Sequence, residues 1–584
     1  MNLEEEGYEI ILKNVTYKYP GSDKPALKNI DLKVRKGEIL LITGPTGAGK
    51  TTLCNLINGL IPHFYGGSLE GDIIVHGINT KNSYVGYLST IVGLLFQDPS
   101  SQLVTASVED EIAFGLENLG LKIDEINERI DWALDFVGLK EYKQHPPYAL
   151  SGGQQQACAL ASILAMKPLI YVLDEPTSNL DPIGSLNVFK LLRKISLEER
   201  KTILIVEHKL EELIDLVDRV IVMNEGKIIM EGNPREILGE EAEFLNKIGL
   251  EAPQIALFAH EAKKLGINLP SIPLTIDEGY ECFSKIFENI KGKINIPQEK
   301  IHQFEKVGKE AIIQVKDVWF QYPSGTIALK GVTTNFYKGE FVAIIGQNGS
   351  GKTTLAKNIN GLLRPTKGEV IVYNMNTKMV PIHKIISYVG YVFQNPDHQL
   401  FSRRVYDEIA FGPKNIGLSK EEIDKRVIEV SKMLNIENLL EEKPYELSKG
   451  HRQRIAIASI LSMMPEVLII DEPTTGQDPR GRREVMNIFK KLHSLGKTII
   501  VITHDMNIVA EYAQRCIVMN EGEILIDGST KEVFMREDIL KKAHLKPPII
   551  TQLFKKLSSN YNIKPDVLTV EEAINVLKSI FKVE

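Results

Sequence analysis

At 584 residues and 65.5 kDa the chain is too long for one hydrophobic core, and two or more domains are expected. Its 43% apolar and 25% charged content is ordinary for folded soluble protein, and a net charge of −7 with pI near 6.0 argues against general nucleic-acid affinity, which needs a concentrated basic surface. Four scattered cysteines (Cys54, Cys158, Cys282, Cys516) form neither a disulfide framework nor a zinc-finger or iron–sulfur layout, which points to a reducing, cytosolic compartment.

The acidic start, Met1-Asn2-Leu3-Glu4-Glu5-Glu6, has no signal-peptide core. No apolar run approaches the roughly 18 residues of a membrane span, so any membrane role comes through a partner. Short β-like runs begin at Ile10-Ile11 and close at Tyr17-Lys18-Tyr19-Pro20-Gly21. Tyr19 is a candidate to stack on adenine, or else a strand-end aromatic of the core. Ile39-Leu40-Leu41-Ile42 then reads as a buried strand running into Gly44-Pro45-Thr46-Gly47-Ala48-Gly49-Lys50-Thr51-Thr52, with helical spacing after it. This fits G-x-x-x-x-G-K-[ST] in the strand–loop–helix context the P-loop needs. Glycines let backbone N–H groups close around phosphate oxygens at a helix N-terminus; Lys50 should reach the β/γ-phosphates and Thr51 should bind Mg²⁺.

Val92–Pro99 is a strand ending at Gln97, a candidate metal and water ligand or a plain loop glutamine. Ser107–Gly115 looks like a capped helix with an acidic first turn, and residues 121–139 continue with helical periodicity. Leu150-Ser151-Gly152-Gly153-Gln154 runs into an Ala-rich helix: Ser151 is a good N-cap, and the two glycines leave amides open at the positive end, a second anion site or a plain capped turn. Leu169–Pro176 is a buried strand ending in two carboxylates, which are costly there without a cation or a task. Asp174 can hold Mg²⁺ through water and Glu175 can polarise an attacking water. Ser178-Asn179-Leu180-Asp181 is a polar turn, and Thr202–His208 is another strand, whose final His208 is a γ-phosphate sensor candidate.

The parts recur about half a chain later. Phe341–Ile345 leads into Gly346-Gln347-Asn348-Gly349-Ser350-Gly351-Lys352-Thr353-Thr354, with Tyr322 before it and Gln394, Asp471-Glu472, Gln477-Asp478 and His504 after it. The tails repeat too: helical stretches Pro253–Leu265 and Pro548–Leu557 are followed by Leu274-Thr275-Ile276-Asp277-Glu278 and Leu568-Thr569-Val570-Glu571-Glu572. One part departs: Leu447-Ser448-Lys449-Gly450-His451 stands where the first half has Leu-Ser-Gly-Gly-Gln.

Taken together, these motifs resemble the ATP-binding-cassette ATPases, with Walker A at 44–52, Q-loop Gln97, signature Leu150–Gln154, Walker B Leu169–Glu175 and switch His208. More narrowly, Phe96-Gln97-Asp98-Pro99 and Phe393-Gln394-Asn395-Pro396-Asp397-His398-Gln399-Leu400-Phe401, each followed by Glu-Ile-Ala-Phe-Gly, look like the ATPases of energy-coupling-factor (cobalt-type) importers of vitamins or transition-metal ions. The resemblance implies an α/β fold of two tandem P-loop cassettes, each with a RecA-like core, an antiparallel β subdomain, a helical signature subdomain and a small C-terminal helical tail. Expected boundaries are 1–240 and 241–290 for the first cassette and tail, 291–310 for a linker, and 311–540 and 541–584 for the second pair.

The resemblance further implies ATP and Mg²⁺ as cofactors, and two composite sites formed head to tail, each ATP lying between one Walker A and the opposite signature. ATP contacts fall on Tyr19, the two P-loops, Ser151–Gln154, Tyr322, Ser448 and Gly450; metal contacts on Thr51, Gln97, Asp174, Thr353, Gln394 and Asp471; catalysis on Glu175, His208, Glu472 and His504. Implied partners are an integral membrane coupling subunit and a separate substrate-capture membrane subunit, with no nucleic acid, at the cytoplasmic face of the membrane. A twin-cassette ATPase acting on ribosomes or nucleic acid is the alternative, disfavoured because neither a long charged inter-cassette helix nor a cysteine cluster is apparent.

Overall fold

The computed structural model describes residues 7–178, 180, 182–289, 310–473 and 477–581. Met1–Glu6, Asn179, Asp181 and the expected linker up to residue 309 therefore lie outside the described residues. The chain divides into two compact units, Met1–Leu257 and Phe258–Glu584, with the division inside the helix Gln254–Lys264.

In the N-terminal unit the strands run β1 (Tyr8–Lys18), β2 (Leu27–Arg35), β3 (Ile39–Thr43), β4 (Ser68–Val75), β5 (Ile78–Asn79), β6 (Val92–Leu95), β7 (Ile170–Asp174), β8 (Thr202–Val206), β9 (Arg219–Asn224) and β10 (Lys227–Gly232). Helices α1 (Lys50–Asn58), α2 (Val108–Asn118), α3 (Ile123–Val137) and α4 (Gly152–Met166) lie among them. An antiparallel sheet has the order β2-β1-β4-β5, and a six-stranded sheet the order β10-β9-β3-β8-β7-β6. All five side chains of β3 (Ile-Leu-Leu-Ile-Thr) and of β7 and β8 are buried, because inner strands of a parallel sheet are covered on both faces and need continuous apolar runs. Strands β3, β8, β7 and β6 pair parallel, so the segments that follow them leave from one edge of the sheet. That edge receives the P-loop after β3, Gln97 after β6, Asp174 at the end of β7 and His208 after β8. Helices α2, α3 and α4 share a separate core built from Ile112, Leu116, Ile130, Leu134, Cys158 and Ala161.

The C-terminal unit repeats the plan: β11 (Ala311–Gln321), β12 (Ile327–Tyr337), β13 (Phe341–Ile345), β14 (Lys367–Val372), β15 (Met375–Asn376), β16 (Val389–Val392), β17 (Val467–Asp471), β18 (Thr498–Ile502), β19 (Arg515–Asn520) and β20 (Glu523–Ser529). The sheet orders, β12-β11-β14-β15 and β16-β17-β18-β13-β19-β20, are those of the first unit. This unit also holds α5 (Ile276–Asn289), α6 (Lys352–Asn360), α7 (Val405–Asn415), α8 (Lys449–Leu461), α9 (Ile549–Ser558) and α10 (Val570–Phe581). The repeated Leu-Thr-Ile/Val-Asp/Glu-Glu stretches are helix starts: Thr275 Oγ1 accepts from Glu278 N while Leu274 N donates to Glu278 Oε2 at 2.9 Å. Thr569 and Glu572 do the same for α10. Helix α5, whose sequence ends the first repeat, packs on α9: Phe258 lies 4.5 Å from Phe283 and 5.6 Å from Phe554 between ring centroids, and Tyr561 Oη donates to Ser284 O at 3.1 Å.

Three strands end earlier than their sequence suggests. β7 stops at Asp174, and Glu175 turns into the left-handed region at φ +52°; Glu472 does so at +48°. β6 stops at Leu95 and β8 at Val206, leaving Gln97 and His208 on loops. Extended backbone would alternate neighbouring side chains to opposite faces, whereas the left-handed turn lets Asp174 and Glu175 serve one site.

Candidate functional site

Each P-loop is shaped by a close approach that only glycine permits. At Gly44, φ +156°, a Cβ would stand 2.2 Å from Met223 O; at Gly346, φ +155°, it would stand 2.2 Å from Met519 O. Backbone therefore packs on backbone, and the loop is held before any phosphate arrives. Lys50 Nζ donates to Gly44 O at 2.7 Å and Pro45 O at 3.0 Å, and Lys352 Nζ to Gly346 O and Gln347 O at 2.8 Å each. Both ammonium groups thus arch over their own loops, where a phosphate would lie. Tyr19 Oη and Thr52 Oγ1 are hydrogen-bonded at 3.2 Å, and Tyr322 Oη and Thr354 Oγ1 at 3.0 Å, which sets each aromatic ring beside the start of its P-loop helix.

The carboxylates gather as their strand order requires. Thr51 Oγ1 donates to Asp174 Oδ2 at 2.6 Å, and Thr353 Oγ1 to Asp471 Oδ2 at 2.8 Å. Burial, helped by the charge of Glu175, pushes Asp174 up to about 6, and burial also raises Asp471. Among the described residues, Asp471 Oδ1 is buried without a hydrogen-bond partner. A buried carboxylate oxygen left unpaired beside a threonine hydroxyl suits a hard divalent cation, so these residues fit Mg²⁺.

Glu175 accepts from Gln97 Nε2 at 2.8 Å and faces His208 Nε2 at 3.3 Å. Burial opposes its ionisation, yet His208, Lys50 and Gln97 together hold it below the usual glutamate range. Glu472 faces His504 Nδ1 at 2.9 Å, and Gln394 makes no hydrogen bond to it. Each unit thus brings its P-loop lysine and threonine, Walker B pair and switch histidine to one sheet edge. Ser151 and Gln154 bond each other rather than any P-loop residue of their own unit, and Ser448 and His451 do likewise. Gly152 opens α4, Lys449 opens α8 with Gly450 after it, and the two glycines have space around them.

Sequence reasoning passed over Tyr391, whose Oη donates to Asp471 Oδ2 at 2.7 Å, and Gln156, whose Nε2 reaches Glu175 O at 3.4 Å. It also passed over Glu207, buried beneath the switch and bonded by Thr177 N at 3.2 Å. Setting the two halves side by side would have found the first, since Leu94 takes the place of Tyr391.

A sequence model described as "ABC transporter" matches residues 27–178 and 329–475. The chain is 45% identical to a protein of Caldanaerobacter subterraneus subsp. tengcongensis over 98% of this chain and 99% of that one. It is 38% identical to one of Methanosarcina acetivorans over 98% of this chain and 94% of that one. Both are named only as ABC transporter ATP-binding proteins, with no substrate given. The solved structure of cbiO1 from Clostridium perfringens, described as part of the ABC transporter complex cbiONQ, is 41% identical, covers 42% of this chain and 100% of its own, and has a TM-score of 0.37. With a family match in each half, the chain belongs to the ATP-hydrolysing, ATP-binding proteins of the ABC transporter family and carries two cassettes in one polypeptide.

Proposed function

We propose that this protein is the energy-coupling ATPase of an importer of the energy-coupling-factor type, taking up a vitamin or a transition-metal ion. Its two cassettes pair head to tail, and the reaction is in-line attack of water on the γ-phosphate of ATP. Lys50 and Lys352 neutralise phosphate charge; Glu175 and Glu472 position the water; His208 and His504, bonded to those glutamates, hold them towards it. Thr51 with Asp174, and Thr353 with Asp471, would hold Mg²⁺; Gln97, bonded to Glu175, and Gln394, at the matching position after β16, are the further candidates. When bound, that ion supplies charge neutralisation across the phosphate oxygens. Tyr19 and Tyr322 offer their rings to adenine.

The observation that carries the membrane reading lies after each Q-loop. Phe114 and Phe411, in the repeated Glu-Ile-Ala-Phe-Gly, are 53% and 47% exposed rather than buried in the core. Large aromatics held half out of a helix suit a partner's surface, and in this reading residues 98–118 and 395–416 each form a groove that receives a cytoplasmic helix of the integral coupling subunit. No described helix is long and apolar enough to cross a membrane. Phe114→Asp with Phe411→Asp should release the protein from membranes and leave ATP binding and circular dichroism unchanged. Retention on membranes overturns the groove assignment, and sedimentation of the wild type with ribosomes instead would favour the non-transport reading.

A further inference from the structure

The two Walker B aspartates are held differently. In the C-terminal unit, Tyr391 lies on β16 opposite Ile469 of β17, two residues before Asp471 and so on the same face of the sheet. Its side chain is 4% exposed, and its ring packs edge-on against Phe393, 4.9 Å between centroids. From there Tyr391 Oη reaches Asp471 Oδ2 at 2.7 Å, the same oxygen that accepts from Thr353 Oγ1 at 2.8 Å. Two hydroxyls on one oxygen fix the rotation of the carboxylate and leave Oδ1 as the unpaired, buried atom. In the N-terminal unit the matching residue, opposite Val172, is Leu94, whose side chain has nothing to donate; among the described residues Asp174 Oδ2 receives only the Thr51 hydroxyl.

We propose that Tyr391 is a positioning residue that presents Asp471 to the divalent cation of the second P-loop, so that the C-terminal site holds the metal–nucleotide pair more tightly. Hydrogen bonds to a ligating carboxylate orient it, and losing one commonly costs about 10–100-fold in metal affinity. The proposal rests on the assignment of Asp471 as a metal ligand, and the test separates the two.

The test uses the full chain carrying Lys50→Ala, which silences the first P-loop, with ATP present and Mn²⁺ binding followed by electron paramagnetic resonance. Tyr391→Phe removes one oxygen atom and keeps the ring packing; its unfolding temperature checks the fold. The expected result is Mn²⁺ binding about tenfold weaker, while ATP binding without metal is unchanged. Asp471→Asn should abolish the tight Mn²⁺ site. If Asp471→Asn does so while Tyr391→Phe binds Mn²⁺ as the parent does, the positioning role is overturned. If Asp471→Asn leaves Mn²⁺ binding intact, the metal assignment fails and the proposal falls with it.

Discussion

The turns that open α4 and α8 begin alike and are capped differently. Ser151 accepts from Gln154 N while Ser151 N donates to Gln154 Oε1 at 3.0 Å, a reciprocal capping box. Ser448 accepts from His451 N, and its hydroxyl pairs with His451 Nδ1 at 3.1 Å, with no bond returned to the cap amide. Gly152 stands in open space, with nothing within 4 Å of where a Cβ would be, and Lys449 takes that place in α8, exposed. A lysine at the positive end of a helix is electrostatically unfavourable, so the helix gains nothing from it. Neither exchange is demanded by the fold. What differs is the chemistry offered to an anion: glycine amides and a serine hydroxyl whose hydrogen can still be donated at one turn, a cation and a hydroxyl also paired with an imidazole at the other. Under the proposed pairing, Walker A of the second half meets the intact turn, and Walker A of the first half meets the altered one.

The largest expected effect separates the two water-positioning glutamates. Glu472→Gln should lower steady-state ATPase by about 100-fold, the scale of removing one preorganised polar group from a transition state, and Glu175→Gln by clearly less. Equal losses would mean equivalent or strictly coupled sites; a larger loss from Glu175→Gln would reverse the assignment.

The grooves offer a second contrast. Phe411 is packed edge-on against Phe401, 4.8 Å between ring centroids, and the first half has Val104 at the position of Phe401. An aromatic pair buries more apolar area in a partner than phenylalanine with valine, so Phe411→Asp should cost about tenfold more membrane affinity than Phe114→Asp. Flotation of the two single variants with native membranes measures this, and equal losses would make the grooves interchangeable.

Repairing the altered turn should have a smaller effect. Lys449→Gly with His451→Gln restores the Ser-Gly-Gly-Gln pattern and should raise ATPase about two- to threefold, since one slow site is released from an added charge and an occupied hydroxyl. An unchanged rate would show that these two residues do not limit it.

The smallest effect concerns acid. Burial and the charge of Arg454 hold His451 below the ordinary histidine value. A depressed folded-state value contributes stability that is present above the unfolded value, about 6.5, and is lost as pH falls through the folded one. Between pH 7 and 5 the wild type should therefore lose slightly more unfolding temperature than His451→Gln. Identical acid profiles would remove His451 from the account.

Much of this architecture was legible because it is local. Glycine spacing, apolar runs and the Ser107 and Ser151 caps each act within a few residues, and the recurrence of the motifs half a chain later marks the duplication. The Phe-Gln-Asn/Asp-Pro stretches and the carboxylates at strand ends were equally visible. Long-range placement was not. Tyr391 and Asp471 are 80 residues apart and meet only because β16 pairs with β17. The left-handed turn at Glu175 leaves no mark in composition, because glutamate ordinarily avoids that conformation. Nor does sequence say that the first repeat's tail helix packs on α9, since each tail reads by itself as a simple amphipathic pair.

The central claim, that the two P-loops do unequal work, is tested most directly by trapping. The protein would be incubated with Mg²⁺, a photoactivatable azido-ATP and vanadate, irradiated, and digested for peptide mapping. The account predicts vanadate-dependent label predominantly on peptides of the C-terminal cassette, around Tyr322 and residues 346–354. Equal label on the two cassettes, or more on peptides around Tyr19 and residues 44–52, would contradict it.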